Sequence, residues 1–284
     1  MTAFDLKDLI LMVSCACVRA DAREKGTTGY AGAEIEKRAF LIASRLALPT
    51  CGLQPLAVYV GRFLAAYPDG VGFEHENAIN EDSLNRICPE KEDTFRPQEV
   101  EHIASVFARL IDYRIGENVH HSERIAARCG AMARYYHWDP DHGEQFVLAG
   151  ALHDVGKILI SHALMDKPRS LSSNEYSIIK KHAYYSSAIL RPVRGFDTVA
   201  AWAYRHHEKI DGSGYPYGLT GDQLSLEERL LACVDIYEAL TESRSYKDPL
   251  SHEEAVSILR QLAEEGRIDG KLAEDVDRCF AVQE

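Results

Sequence analysis

The run Phe146-Val147-Leu148-Ala149-Gly150-Ala151-Leu152 is apolar on every side and leads straight into His153-Asp154-Val155-Gly156-Lys157. A helix that is hydrophobic all round belongs in a core, and this one carries an imidazole and a carboxylate in with it. A carboxylate in that setting needs a charged partner, hydrogen bonds or a metal. The two oxygens of Asp154 can bridge two cations while His153 binds one of them. Lys157, three residues on, shares the Asp154 face on a continuing helix and could hold a phosphate. A lone His-Asp pair is weak evidence for a metal, and only further donors from other segments make it strong.

Those segments read as helices. Ile103, Val106, Phe107, Leu110 and Ile111 form one apolar stripe at helical spacing. Asp139-Pro140 has the form of an N-cap followed by a first-turn proline, and opens the helix that ends in His153-Asp154. Capping boxes at Ser172/Glu175, Ser225/Glu228 and Ser251/Glu254 predict helices over 173–190, 226–242 and 252–265. Two more are expected over 196–207 and 270–281. The interval between His207 and Ser225, with Gly212, Gly214, Pro216, Gly218 and Gly221, reads as one long loop. Residues 1–95 suggest helices near 4–20, 33–47 and 53–66, without the strand and helix alternation of a receiver-type α/β domain. The expected architecture is all-α: an N-terminal helical region over 1–95 and a second domain over 96–284.

Composition removes several classes of function. A net charge of -12 argues against duplex nucleic-acid binding driven by phosphate neutralisation, so an anionic ligand needs a local positive site. Seven Cys without a CxxC pair suggest reduced thiols in a cytoplasmic protein. The run Leu9 to Val18 is too short to span a bilayer, and no cationic segment precedes it, so neither a membrane span nor a signal peptide is expected.

The remaining His, Asp and Glu residues fall where helices could aim them at one centre. Glu117 and His121 are four apart, on one face if the helix has begun. His182 lies within its expected helix, His206 and His207 end another, and Asp235 interrupts the apolar run Leu230 to Ile236. Singly each has an ordinary explanation: a satisfied core histidine, a solvated carboxylate, an Asp paired with an Arg. Together they make a His and carboxylate donor set without Cys, which disfavours a structural zinc site and suits Fe, Mn or a related octahedral metal. Such ions sharing a bridging Asp would stabilise an in-line phosphoryl displacement.

The runs His153-Asp154-Val155-Gly156-Lys157, His206-His207-Glu208-Lys209-Ile210-Asp211-Gly212-Ser213-Gly214-Tyr215-Pro216 and Asp235 to Tyr246 resemble the HD-GYP family of metal-dependent phosphodiesterases over roughly residues 100–265. The resemblance implies an HD-domain helical bundle that hydrolyses cyclic dinucleotides, chiefly cyclic di-GMP, to the linear dinucleotide or to mononucleotides. It implies two or three divalent ions, iron first and manganese second, held by His121, His153, Asp154, His182, His206, His207 and Asp235. Glu117 would be the extra carboxylate of a three-metal centre. Asp154 and Lys157 would be catalytic, with Lys157 on the scissile phosphate. Arg244 and Lys247 would take the other phosphate or a guanine, and Asp211, Gly212, Gly214, Tyr215 and Pro216 would shape the substrate pocket. Diguanylate cyclase (GGDEF) proteins are implied as partners. A scaffold role without turnover, or action on another nucleotide such as cyclic GMP-AMP, are the alternatives.

This chain departs from the family pattern at Ser186, where Gly is usual, at Ser161 and His162, and at Glu238, where Asp is frequent. Glu34 to Leu48 resembles the first helix of an HD repeat with Glu34 in place of a His. A degenerate HD-like half and an unrelated helical regulatory segment are both open for the N-terminal region.

Overall fold

The computed structural model describes residues 104–105, 107–108, 111–112, 120–165, 167, 170–191, 193–242 and 248–281. The expectations for residues 1–95 therefore lie outside the described residues. The nine helices named here are α1 (His121–Tyr135), α2 (Pro140–Leu152), α3 (His162–Met165), α4 (Ser173–Ile179), α5 (Lys181–Leu190), α6 (Asp197–Arg205), α7 (Leu226–Thr241), α8 (His252–Glu264) and α9 (Gly270–Phe280). Ahead of them, the described residues between 104 and 112 are helical and bury Phe107 and Ile111 of the predicted stripe together with Ala104 and Ala108. The described residues hold no strand, only an isolated bridge between Asp211 and Thr220, so the all-α expectation holds. None of the described helices is long and apolar enough to cross a membrane.

The helix starts follow the local chemistry. Asp139 accepts a hydrogen bond from the His142 amide, and the boxes at Ser172/Glu175, Ser225/Glu228 and Ser251/Glu254 are all closed in both directions. Each box satisfies amide donors that a helix start leaves without partners. α1 packs along α2, α6 against α2 and α5, α7 against α1 and α8, and α8 against α9. Phe146, Leu148 and Leu152 of α2 lie at the centre of one continuous core with Ile125, Met132, Leu190, Phe196 and Phe280.

Three local features differ from the sequence reading, and all three bear on the site. The α-helix does not continue through Lys157: α2 stops at Leu152, and Val155–Leu159 is a 3-10 turn. With three residues per turn, that geometry still eclipses positions three apart, so Lys157 keeps the Asp154 face. The helix expected over 173–190 is two helices broken at Lys180, which moves His182 from mid-helix to the first turn of α5. Finally, α1 begins only at His121, and His120 before it is left-handed with φ 91°. A continuous helical face from Glu117 to His121 needs a helix already running at His120, and there is none.

The 3-10 turn is pressed against the start of α5. A Cβ at Gly156 would collide with the His182 carbonyl oxygen and the Ser186 amide, so only glycine permits this approach. Ser186 is fully buried, and its hydroxyl accepts the Gly156 N–H at 2.9 Å.

Candidate metal centre

Five imidazoles and two carboxylates from five segments converge: His121 and His182 at helix starts, His153, Asp154, His206 and His207 just past helix ends, and Asp235 from within α7. They form two groups whose donor atoms lie within 4.8 Å of one another: Asp154, His182, His206 and His207 in the first, His121, His153 and Asp235 in the second. Asp154 stands between them. Its Oδ1 is 3.3 Å from His182 Nε2 and 3.9 Å from His206 Nε2, while Oδ2 is 3.1 Å from His153 Nε2 and 2.8 Å from Lys157 Nζ. Asp235 faces the second group through Oδ1, at 3.8 Å from both His121 Nε2 and His153 Nε2. Its Oδ2 turns toward His207 Nδ1 at 3.9 Å.

The rings are aimed by their outer nitrogens. His153 Nδ1 is 2.8 Å from the Gly150 carbonyl, His182 Nδ1 2.7 Å from that of Ile179, and His206 Nδ1 2.7 Å from that of Ala203. In each case the acceptor lies three residues back, at the end of the preceding helical turn. A proton held on Nδ1 leaves the Nε2 lone pair pointing inward, the arrangement that metal-binding histidines use. His121 begins its helix and has no such turn behind it. Its Nδ1 faces Glu242 Oε2 at 3.3 Å instead. Glu242 is buried and is held in turn by Arg124, one turn further along α1.

The two groups differ electrically. In the first, burial pushes His182, His206 and His207 down, the latter two well below the usual imidazole value, with the neighbouring imidazoles adding to the effect. In the second, burial is outweighed. The Glu242 and Asp235 carboxylates raise His121, and Asp154 lifts His153 to about 9. Asp154 is itself held well below the ordinary carboxylate value: burial opposes this, but the His153 and Lys157 charges prevail.

This donor set fits divalent cations. His153 Nε2 and Asp154 Oδ1 are buried without a hydrogen-bond partner, and an orphaned pair of that kind is expensive unless a metal takes it up. All the donors are nitrogen or oxygen, which suits Fe, Mn and related ions rather than thiophilic ones.

The loop after His207 covers the more open side, where His207 is 28% exposed. Buried Glu208 staples this loop by accepting the amides of Tyr217 at 2.7 Å and Leu219 at 3.0 Å. A Cβ at Gly214 would collide with the Lys209 amide and Glu208 Cα, so the loop can fold back on its own start only with glycine there. The fold-back brings the Tyr215 ring to 4.7 Å from that of His207. Pro216 follows across a cis bond and is exposed. Asp211 is also exposed, and its carboxylate accepts the Ser213 amide, closing the turn at Gly212.

The structure thus brings together His121, His153, Asp154, Lys157, His182, His206, His207 and Asp235, with Tyr215 at the rim. Asp211, Gly212, Gly214 and Pro216 build the covering loop. Glu117, Arg244 and Lys247 lie outside the described residues. Glu242 and Glu208 were missed from the sequence. Glu208 carried a signal, since it directly follows the His pair. Glu242 carried none, being one of several charged residues after an amphipathic helix.

A model of the HD domain family matches residues 105–272. The chain is 33% identical over 181 residues to 3'3'-cGAMP-specific phosphodiesterase 1 of Vibrio cholerae, covering 64% of this chain and 42% of that protein. It is 38% identical over 170 residues to 3'3'-cGAMP-specific phosphodiesterase 2 of the same organism, covering 59% and 32%. To the cyclic di-GMP phosphodiesterase response regulator RpfG of Xanthomonas campestris it is 34% identical over 166 residues, covering 58% and 43%. The matched stretch spans less than half the length of these curated relatives.

Proposed function

The chain belongs to the HD domain family, and from that premise we propose that it is a metal-dependent phosphodiesterase whose substrate is a cyclic dinucleotide. The observation that carries the reading is Asp154, whose Oδ1 faces His182 and His206 of the first group while its Oδ2 faces His153 of the second and the Lys157 ammonium. A reaction centre for phosphoryl transfer needs that combination: two cation positions joined by one carboxylate, with a further positive group beside them. The names of the relatives support the substrate class. Cyclic di-GMP is the first substrate to test and 3'3'-cGAMP the second.

His182, His206 and His207 with Asp154 would hold one ion, and His121, His153 and Asp235 with Asp154 the other. Iron is the proposed metal, with manganese the substitute. Glu117 is the proposed carboxylate for a third position. Bound divalent ions supply Lewis-acid polarisation of a phosphoryl oxygen and acidify water. The chain's own residues do the rest. The carbonyls of Gly150, Ile179 and Ala203 keep three imidazoles in the ligating tautomer. Lys157, on a 3-10 turn braced by Ser186, presents its ammonium where a phosphate oxygen can replace part of its contact with Asp154. The buried walls keep the donors rigid, so little reorganisation is needed as charge develops.

The test is turnover of cyclic di-GMP and 3'3'-cGAMP by protein purified anaerobically, with metal content measured on the same sample. Hydrolysis of either nucleotide by metal-loaded protein is expected. Full metal occupancy with both nucleotides intact would overturn the proposal.

A further inference from the structure

The break between α4 and α5 does more than aim His182. Tyr176 and Lys180 are four residues apart, so the last turn of α4 stacks the lysine over the tyrosine. The Lys180 ammonium lies 5.2 Å from the centre of the Tyr176 ring and 5.6 Å from that of Tyr215. Tyr215 is the ring that stands against His207. Lys180 is therefore one aromatic ring away from the ligands of the first group, on the side where that group is most open. Tyr176 is 48% exposed beside it.

No carboxylate among the described residues pairs with Lys180. Its neighbours are two π-faces, which hold an ammonium in place by attraction to the ring quadrupole and leave N–H donors pointing elsewhere. The nearby Lys167 is different: its ammonium is bound to Glu175 at 2.5 Å. Lys157 is also committed, to Asp154. In a chain of net charge -12, a lysine that no described carboxylate pairs with, at the edge of a candidate metal centre, is a place for an anion.

A cyclic dinucleotide has two phosphodiester groups, and only one of them can lie on the metals at a time. We infer that Lys180, held between Tyr176 and Tyr215, binds the phosphate that is not being cleaved, in addition to Arg244 and Lys247, to which the family resemblance gives the same role. This rests on the proposed phosphodiesterase activity and extends it: Lys180 sets the preference for a substrate with two phosphates over one with a single phosphate. Lysine suits the task because a point charge on a flexible stem needs no fixed geometry of its target.

The experiment compares Lys180→Gln and Lys180→Arg with the wild type on two substrates, cyclic di-GMP and bis(p-nitrophenyl) phosphate, with metal content measured for each protein. The second substrate has one phosphate and needs only the metal centre. For Lys180→Gln the ratio of kcat/KM on cyclic di-GMP to that on the small diester is expected to fall roughly tenfold, mainly through KM, as for loss of one charge-assisted contact. Lys180→Arg should recover most of it, and metal content should match the wild type. An unchanged ratio, whether from equal loss on both substrates or from no loss, overturns the inference. Wild-type protein that cleaves the small diester but neither cyclic dinucleotide overturns the cyclic-dinucleotide reading itself, and this inference with it.

Discussion

The two halves of the metal centre share Asp154 but solve the problem of buried charge in opposite ways. In the half made by His182, His206 and His207, three imidazoles crowd one carboxylate, and burial with mutual repulsion keeps the rings neutral. In the half made by His121 and His153, two imidazoles have Asp235, Asp154 and Glu242 around them and hold their protons more tightly. An ion entering the second half would therefore displace more protons than one entering the first. The difference comes from which helix ends meet: α5 and α6 bring only imidazoles to the centre, whereas α7 brings carboxylates.

The largest expected effect tests what the halves have in common. Asp154→Ala removes the shared carboxylate, so metal should be lost from both positions and turnover should fall about a thousandfold or more. His206→Ala and His121→Ala in parallel should each deplete one position; if either empties both, the halves are not separable. Metal analysis with activity on the same samples decides this.

A second prediction uses pH. In metal-free protein, the folded pKa of His153, about 9, lies above the ordinary value of 6.5. Its contribution to stability is then fully present below pH 6.5 and is lost as pH rises through about 9. The thermal midpoint of metal-free protein should fall across that window, while metal-loaded protein, in which the ion replaces the proton, should fall less. Parallel melting curves would remove the contrast between the halves.

A smaller effect concerns Glu242, the partner of His121. Glu242→Ala should weaken metal binding at the second half about 10- to 100-fold, as loss of an outer partner of a ligating imidazole does, and leave the first half near wild type. Isothermal titration of metal-free protein with Mn2+ would show two classes of site moving apart. Equal weakening of both classes would mean that Glu242 acts through the packing of α1 on α7 instead.

The smallest effect is at Ser186. Ser186→Ala leaves the buried Gly156 amide without its acceptor, at a cost of about 1–3 kcal/mol, readable by chemical denaturation. Both halves should keep their metal, because the 3-10 turn keeps its own backbone hydrogen bonds, Lys157 N–H to the Asp154 carbonyl and Ile160 N–H to that of Lys157.

Helix identity and most helix starts were legible in the chain because caps and apolar stripes are local. Ser172, Ser225 and Ser251 each act with a Glu three residues on, and Asp139 with an amide three residues on. The break at Lys180 was not legible: no Gly or Pro marks it, and it answers to the approach of Gly156 from another segment. The late start of α1 at His121 was hidden for a similar reason, since His120 adopts a left-handed backbone without being glycine.

For the site, the five imidazoles and two carboxylates were legible as candidates, His182 and Asp235 within expected helices and the others at helix ends, and the family resemblance joined them into one set. The sequence also determined the all-α architecture, because hydrophobic period and capping act over a few residues. Only the tertiary structure decided which oxygen of Asp154 faces which imidazoles, that Glu242 stands behind His121, and that Lys180 lies between two tyrosine rings at the rim. Those relations join residues as many as 121 positions apart, as Glu242 and His121 are. They depend on the angle at which helices pack, which no local pattern encodes.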